Sequence, residues 1–204
     1  MKRMITLAGA LLAVLGFYGP WVTTQRQVAA LTYNALDLTE FCKFILRAGL
    51  GQVTRELFLV PIVAAALALA LWASHPDQRP HILRYALSAV AVLLSLVPLP
   101  PYPYVLTAFA SAEDRGSFWL SLAGLLGVAL IALFGRRIAP RWRDAALVAL
   151  ALVGAALPVW ELVARALPAV SRAYASPAVV GWGLVVTVAG FVLVAAGALM
   201  RGNG

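Results

Sequence analysis

Six long apolar runs, separated by short charged segments, constrain this chain more than any other feature of its sequence. About 20 apolar residues suffice to cross the hydrocarbon core of a bilayer as an α-helix, a structure that satisfies its own backbone hydrogen bonds in lipid. We therefore predict an all-α integral membrane protein, in which residues 1–204 form one transmembrane domain of about six helices. The predicted spans cover residues 4–20, 57–73, 82–98, 117–134, 144–160 and 178–200.

The composition argues against a water-soluble protein and against a nucleic-acid-binding one. Hydrophobic residues make up 63% of the chain and charged residues 12%, whereas a soluble domain is about half apolar and about a quarter charged. The net charge of +8 comes from Lys and Arg in the short segments between apolar runs, where they face lipid head groups. We expect the lipid bilayer, and no nucleic acid, as a partner.

The distribution of basic residues predicts the orientation of the spans. With the N-terminus inside, the inner segments hold nine basic and two acidic residues, and the outer segments hold seven basic and six acidic ones. Basic residues concentrate on the cytoplasmic side, and the cluster at 135–143 is the densest. Both termini are thus predicted to be cytoplasmic. The short loops and the Ala-, Leu- and Arg-rich composition favour a multi-pass protein of a bacterial plasma membrane.

The N-terminal segment has the basic start and apolar run of a secretory signal peptide. No small-x-small cleavage site follows it, and Pro20-Trp21 comes next. We expect a signal anchor that remains as the first helix.

Aromatic residues and prolines mark the predicted helix ends. Indole rings favour the head-group level, so all six tryptophans are predicted to lie at an interface. On the outer side these are Trp21, Trp119, Trp160 and Trp182, and on the inner side Trp72 and Trp142. Three odd-numbered spans also end in a proline with an aromatic close behind, at 19–21, 97–102 and 157–160. This pattern fits ordinary helix ends or, alternatively, three duplicated helical hairpins.

The long outer segment between the first two spans predicts an amphipathic helix at about 37–48. Its apolar residues repeat at helical spacing, Asp37 stands at the N-cap position with Glu40 completing a capping box, and Gly49 ends it. The predicted stripe is Leu38, Phe41, Cys42, Ile45 and Leu46, with Thr39, Glu40, Lys43 and Arg47 elsewhere. This helix is too short to span. It is expected to finish the loop at the interface or to form part of a docking or ligand-covering surface.

Shorter repeats of the same kind occur in the other two outer loops. One consists of Tyr102, Val105, Leu106 and Phe109, and the other of Leu162, Val163, Ala166 and Leu167. Together with the longer helix they predict an apolar-bottomed cap over the outer face.

The interiors of the six spans are predicted to be free of ionisable side chains. Arg84 and Asp144 lie near inner ends and are counted with the inner segments. Proton relays, ion-coupling sites and voltage sensors depend on charges within the membrane. The polar residues Thr6, Ser88, Ser95, Ser121 and Thr187 are expected to bond the carbonyl one turn back. Close helix packing is predicted at Gly9 and Ala13, at Ala123 and Gly127, and at Gly183 and Thr187.

The chain offers few candidate residues for chemistry, and we predict no catalytic, cofactor-binding or metal site. Cys42 is the single cysteine, so an internal disulfide is excluded. His75, Asp77 and His81 share one inner loop in no metal-ligand pattern. The outer carboxylates Glu56, Glu113, Asp114 and Glu161 are weak catalytic candidates, because no histidine accompanies them.

We predict a non-catalytic accessory subunit that anchors or stabilises a larger membrane protein assembly, with other membrane subunits as partners. Two alternatives remain open. The first is a transporter or channel for an uncharged or lipidic molecule, with Pro61, Pro98 and Pro158 near helix ends that move. The second is a lipid-modifying enzyme at the outer interface, which requires a cleft that joins Glu56, Glu113 or Glu161 to the lipid.

Overall fold

Eight α-helices form the computed structural model, which describes residues 2–24, 32–75 and 81–200. They are α1 (Lys2–Tyr18), α2 (Ala35–Arg47), α3 (Val60–Ala73), α4 (His81–Leu96), α5 (Arg115–Phe134), α6 (Pro140–Glu161), α7 (Leu167–Tyr174) and α8 (Trp182–Leu199). Each predicted span contains one apolar helix. Three helical segments are long and apolar enough to cross a membrane, namely 115–137, 140–174 and 182–199. The apolar parts of α1, α3 and α4 are shorter, at Arg3–Tyr18, Val60–Ala73 and Ile82–Leu96.

Helix α3 lies at the centre of the bundle. It contacts α1, α4, α5 and α6, and almost every one of its side chains is buried. Alanine at six of its 14 positions allows these neighbours to approach from several directions. The surrounding helices instead turn large apolar side chains outward, including Leu15, Leu93, Leu126, Leu133, Leu152 and Val185. The bundle therefore has an apolar exterior as well as an apolar core.

Helices α1 and α8 pack antiparallel with their backbones in contact. A Cβ atom at Gly16 would lie 2.4 Å from the backbone nitrogen of Thr187, and one at Gly190 would lie 2.4 Å from that of Ala13. The prediction of close packing is thus confirmed at Gly9, Ala13, Gly183 and Thr187. It is wrong for Ala123, which is exposed, because Gly124 is the residue of α5 that faces Val63 and Ser95.

Hydroxyl groups within the bundle find backbone acceptors. Ser95 and Thr187 donate to the carbonyl one turn back, as predicted, at 2.9 Å each. Ser121 differs, since its hydroxyl donates across the helix interface to the carbonyl oxygen of Ser95 at 2.6 Å. This bond links α5 to α4.

A small β-sheet lies at one end of the bundle. The all-α prediction did not include this sheet. Its strands are β1 (Val22–Thr24), β2 (Thr32–Tyr33) and β3 (Ala178–Val180), in the antiparallel order β2-β1-β3. Val22 pairs with Val180, so the segments beyond α1 and before α8 continue the contact of those helices. The predicted sixth span therefore begins as a strand, in keeping with the β-branched residues at 179 and 180. We call this end the cap end and the opposite one the terminal end.

Helix α2 confirms the predicted amphipathic helix but begins earlier. Its N-cap is Asn34, whose side-chain oxygen accepts a bond from the Asp37 backbone N–H, while the Asn34 backbone N–H donates to the Asp37 carboxylate. Asp37 is thus the N3 residue of the capping box and not the N-cap. Gly49 ends the helix as predicted: its φ of 65° is left-handed, and Leu50 N–H donates back to the Ile45 carbonyl.

The buried face of α2 is rotated from the predicted stripe. Leu38, Cys42 and Ile45 are buried, but Leu46 is exposed and Thr39 is buried. Thr39 lies on the inner face at little cost because its hydroxyl donates to the Ala35 carbonyl at 2.9 Å. The helix packs over α1 and against the loop that precedes α3.

The other two loops that are predicted to face outward match their predictions less well. Residues 102–109 form only a short 3₁₀ turn, Tyr104–Leu106, and Tyr102, Leu106 and Phe109 are exposed. The segment from Leu162 is helical as predicted, but α6 does not end at Pro158. It continues to Glu161, through a π-helical turn (Leu162–Ala166), into α7.

Two of the six tryptophans are core residues, contrary to the prediction. Trp21 is fully buried and its indole N–H donates to the Gly16 carbonyl at 3.0 Å, while that of Trp72 donates to the Arg3 carbonyl at 2.7 Å. A backbone acceptor replaces the water that an interfacial indole would use. The other four, Trp119, Trp142, Trp160 and Trp182, are exposed near helix ends.

Candidate functional site

An ion-pair cluster at the cap end centres on Arg55, a residue that the sequence did not single out. Arg55 begins the 3₁₀ turn Arg55–Phe58 that leads into α3, and only 5% of its surface is exposed. Its Nη2 donates to Asp114 Oδ1 at 3.1 Å and to Ser117 Oγ at 2.9 Å. Glu56 Oε1 lies 3.6 Å from its Nε. A buried charge is tolerated only when paired, and these partners supply the pairing.

Helix α2 adds a second cation to this cluster. Lys43 Nζ lies 3.4 Å from Asp114 Oδ1 and 2.9 Å from Glu40 Oε2. Arg55 and Lys43 therefore share Asp114, which stands just before α5. The cluster joins α2, the start of α3 and the start of α5 in one network.

Gly116 makes room for this network. A Cβ atom at residue 116 would lie 2.5 Å from Glu56 Oε1, so a side chain there would displace the carboxylate. The sequence Asp114-Arg115 reads as an ordinary charged turn, but Asp114 is one half of a buried ion pair. No local pattern reveals this, because the partner residue is 59 positions earlier.

The four carboxylates considered as catalytic candidates occupy three different settings. Glu56 and Asp114 meet at Arg55. Glu113 points outward and pairs with exposed Arg47, whose Nη2 lies 2.6 Å from Glu113 Oε1. That bond raises the pKa of the Arg47 guanidinium.

Glu161 is fully buried at the end of α6. Its Oε1 accepts the backbone N–H of Thr54, and its Oε2 accepts a bond from Arg165 at 3.3 Å. This carboxylate fastens the segment before α3 to α6. It thereby fixes the position of the residue next to Arg55.

Cys42 lies on the buried face of α2, and its thiol is protonated at neutral pH. Burial, with a smaller contribution from the negative charge of Glu161, raises the pKa of the Cys42 thiol to about 12. A thiol in that state is a poor nucleophile.

An aromatic group lies beside the cluster on the same end of the molecule. The rings of Phe41 and Tyr174 stack at 5.6 Å, and that of Tyr33 lies 5.0 Å from Phe41. The hydroxyls of Tyr33 and Tyr174 share a hydrogen bond, and burial together with this bond raises the pKa of Tyr33. These contacts tie β2 and α7 to α2.

A cavity of about 360 Å³ opens next to Arg55, between α2 and the connection from α4 to α5. One wall is apolar, formed by Leu36, Leu59, Val97, Pro98, Leu99, Pro100 and Pro101. The other is polar, formed by Thr39, Glu40, Arg55, Asp114 and Ser117. The cavity thus reaches Glu40 and Asp114 and not Glu56, Glu113 or Glu161, the carboxylates expected to line a lipid-facing cleft.

Most of the loop that carries His75, Asp77 and His81 lies outside the residues that the structure describes. Asp77 and the side chain of His81 lie outside the described residues, and His75 is described at the end of α3. Within 2–24, 32–75 and 81–200, no group of three His, Cys, Asp or Glu side chains is arranged to hold a metal ion.

All the strongly buried charged residues in the described segments lie at helix ends: Arg55 and Asp114 before α3 and α5, Glu161 at the end of α6, and Arg143 in its first turn. The Nη2 of Arg143 donates to the Gly135 carbonyl at 2.7 Å and so closes the loop between α5 and α6.

Comparison of the chain with family models, with curated proteins and with solved structures finds no match.

Proposed function

We propose that this chain is a non-catalytic, multi-pass membrane subunit that anchors or stabilises a larger membrane protein assembly. The observation that carries the proposal is the central position of α3. A permeation path through a helical bundle needs an axis lined by polar groups or open space, and here an apolar helix buried on nearly all sides occupies the axis.

The proposal includes six membrane crossings with both termini in the cytoplasm of a bacterium. The exposed leucines and valines on α1, α4, α5, α6 and α8 require an apolar medium. At 14 residues α3 rises only about 21 Å, but its neighbours surround it, so its ends do not have to reach the lipid surface. Exposed Arg136, Arg137 and Arg141 at the terminal end support a cytoplasmic location for that end.

The cap end offers a surface for a partner. Phe44 and Leu46 of α2 and Tyr104, Leu106 and Phe109 of the loop before α5 are all more than 45% exposed. Aromatic and leucine side chains at this density are typical of protein contact sites and of the membrane interface. The same segments carry two ion pairs, Lys43 with Glu40 and Arg47 with Glu113.

The experiment is purification of the native chain in a mild detergent, followed by measurement of the stoichiometry of the complex. We expect a partner subunit at a fixed ratio. A double substitution, Leu106→Ser with Phe109→Ser, should release it. Leu126→Ser with Leu133→Ser, two exposed side chains of α5, is the control with a similar number of apolar groups removed. A stable, monodisperse chain with no stoichiometric partner would contradict the proposal.

The transport alternative has a direct test of its own. The segment from Pro158 through the π-helical turn interrupts regular helical bonding, as in helices that move. Flux of a small uncharged solute across proteoliposomes that contain the purified chain would favour transport over anchoring.

A further inference from the structure

We propose that the cavity beside Arg55 binds the head group of a zwitterionic amphiphile that carries a primary ammonium, such as phosphatidylethanolamine. The inference depends on the chain residing in a membrane but not on a partner subunit. It therefore assigns a lipid-binding site beyond the anchoring role.

The shape and lining of the cavity point to an amphiphile. Its volume of about 360 Å³ falls within the range of small-molecule sites. Leu59, Val97 and Leu99 form an apolar wall, while Glu40, Arg55 and Asp114 face it. A head group with its first acyl carbons matches both walls, and the rest of the lipid would extend along the apolar exterior of the bundle.

The charge balance of the cluster favours an ammonium group. Among the residues that the structure describes, three carboxylates, those of Glu40, Glu56 and Asp114, lie in ion pairs with two cations, those of Lys43 and Arg55. These five ion-paired side chains carry one negative charge more than positive. An ammonium near Glu40, the most exposed of the three, would pair with that carboxylate and donate hydrogen bonds to it, while the phosphate of the same lipid lies toward Arg55.

Arg55 supplies the complementary group for the phosphate. Its Nε and Nη1 are covered by protein and have no hydrogen-bond partner. A buried guanidinium with unused donors is costly, and because Arg55 lines the cavity, a phosphate bound there would place acceptor oxygens beside it. An anionic lipid would satisfy Arg55 but would add to the negative charge of the cluster.

The test is a lipid titration of the purified, delipidated full-length chain in detergent, followed by native mass spectrometry. The three probes are dioleoyl phosphatidylethanolamine, phosphatidylcholine and phosphatidylglycerol. We expect phosphatidylethanolamine to bind about tenfold more tightly than the other two, since choline has no N–H donors and the glycerol head group leaves a net negative lipid. Equal affinities for the three lipids would overturn the proposal.

Matched variants locate the site. Glu40→Gln should weaken phosphatidylethanolamine binding by roughly three- to tenfold, because it removes the carboxylate at the polar wall. Glu113→Gln removes the same charge on the same end of the molecule but outside the cavity lining, and should change the affinity by less than about twofold.

A third variant, Leu99→Trp, fills the cavity without changing charge and should abolish the preference for phosphatidylethanolamine. The proposal fails if Glu40→Gln and Glu113→Gln have the same effect, or if Leu99→Trp keeps the preference. None of these outcomes alters the partner stoichiometry that tests the anchoring role.

Discussion

Replacing Gly190 with alanine tests the backbone contact between α1 and α8. The added Cβ would lie 2.4 Å from Ala13 N and 2.6 Å from Gly9 O, about 1 Å inside the 3.4 Å of an ordinary contact. Both atoms belong to the backbone of α1, so no side-chain rotation relieves the overlap and the two helices must separate. Overpacking costs about 1–3 kcal/mol, and a rigid backbone neighbour places this site at the upper end.

The opposing effect is helix propensity. Alanine stabilises a helix interior by about 1 kcal/mol relative to glycine, which leaves a net loss of about 2 kcal/mol for Gly190→Ala. At about 2–4 °C per kcal/mol for a chain of this length, Tm should fall by about 4–8 °C. Thermal unfolding in detergent, followed by intrinsic tryptophan fluorescence, measures this change.

Gly127→Ala is the matched control. It also lies within an apolar helix, but its added Cβ would meet Cδ2 of Leu67 at 2.7 Å, the end of a side chain that can rotate. Its Tm should stay within about 2 °C of the parent or rise. If Gly190→Ala unfolds at or above the temperature of Gly127→Ala, then α1 and α8 are not packed as described.

Three further predictions concern buried polar groups. Because burial raises the pKa of the Cys42 thiol to about 12, iodoacetamide at pH 8 should label this thiol only after unfolding, and labelling of the folded chain would refute the burial. The stability that the protonated thiol contributes is complete below pH 9.0, its ordinary pKa, and is lost as the pH rises toward 12. Glu161→Leu leaves the Thr54 N–H without its acceptor and should cost about 1–3 kcal/mol in detergent unfolding, whereas Glu161→Gln keeps one oxygen and should cost less. Ser121→Ala removes the bond to the Ser95 carbonyl and should cost about 0.6 kcal/mol in the same assay, and a loss above about 2 kcal/mol would mean that the hydroxyl does more than link α4 and α5.

The candidate site was largely beyond prediction from sequence. The outer carboxylates drew attention as charged residues near helix ends, but the residue that unites Glu56 with Asp114 is Arg55, which reads as an unremarkable loop cation. Nothing local marks it as buried, since its burial depends on α2 folding over it and on Gly116 leaving space for Glu56. The same holds for Trp72, whose backbone acceptor on α1 is 69 positions earlier in the chain.

The sequence by itself determined where the apolar helices form, that α2 exists between the first two of them, and where Gly49 ends it. These features follow from periodicity, run length and capping residues, which act over a few positions. The tertiary structure alone decided that α3 is central, that a sheet joins the ends of α1 and α8, and that Arg55 lies in a buried ion pair. Such outcomes depend on which surfaces of the helices pack together. Contacts between residues that are dozens of positions apart cannot be inferred from the pattern of any one stretch of sequence.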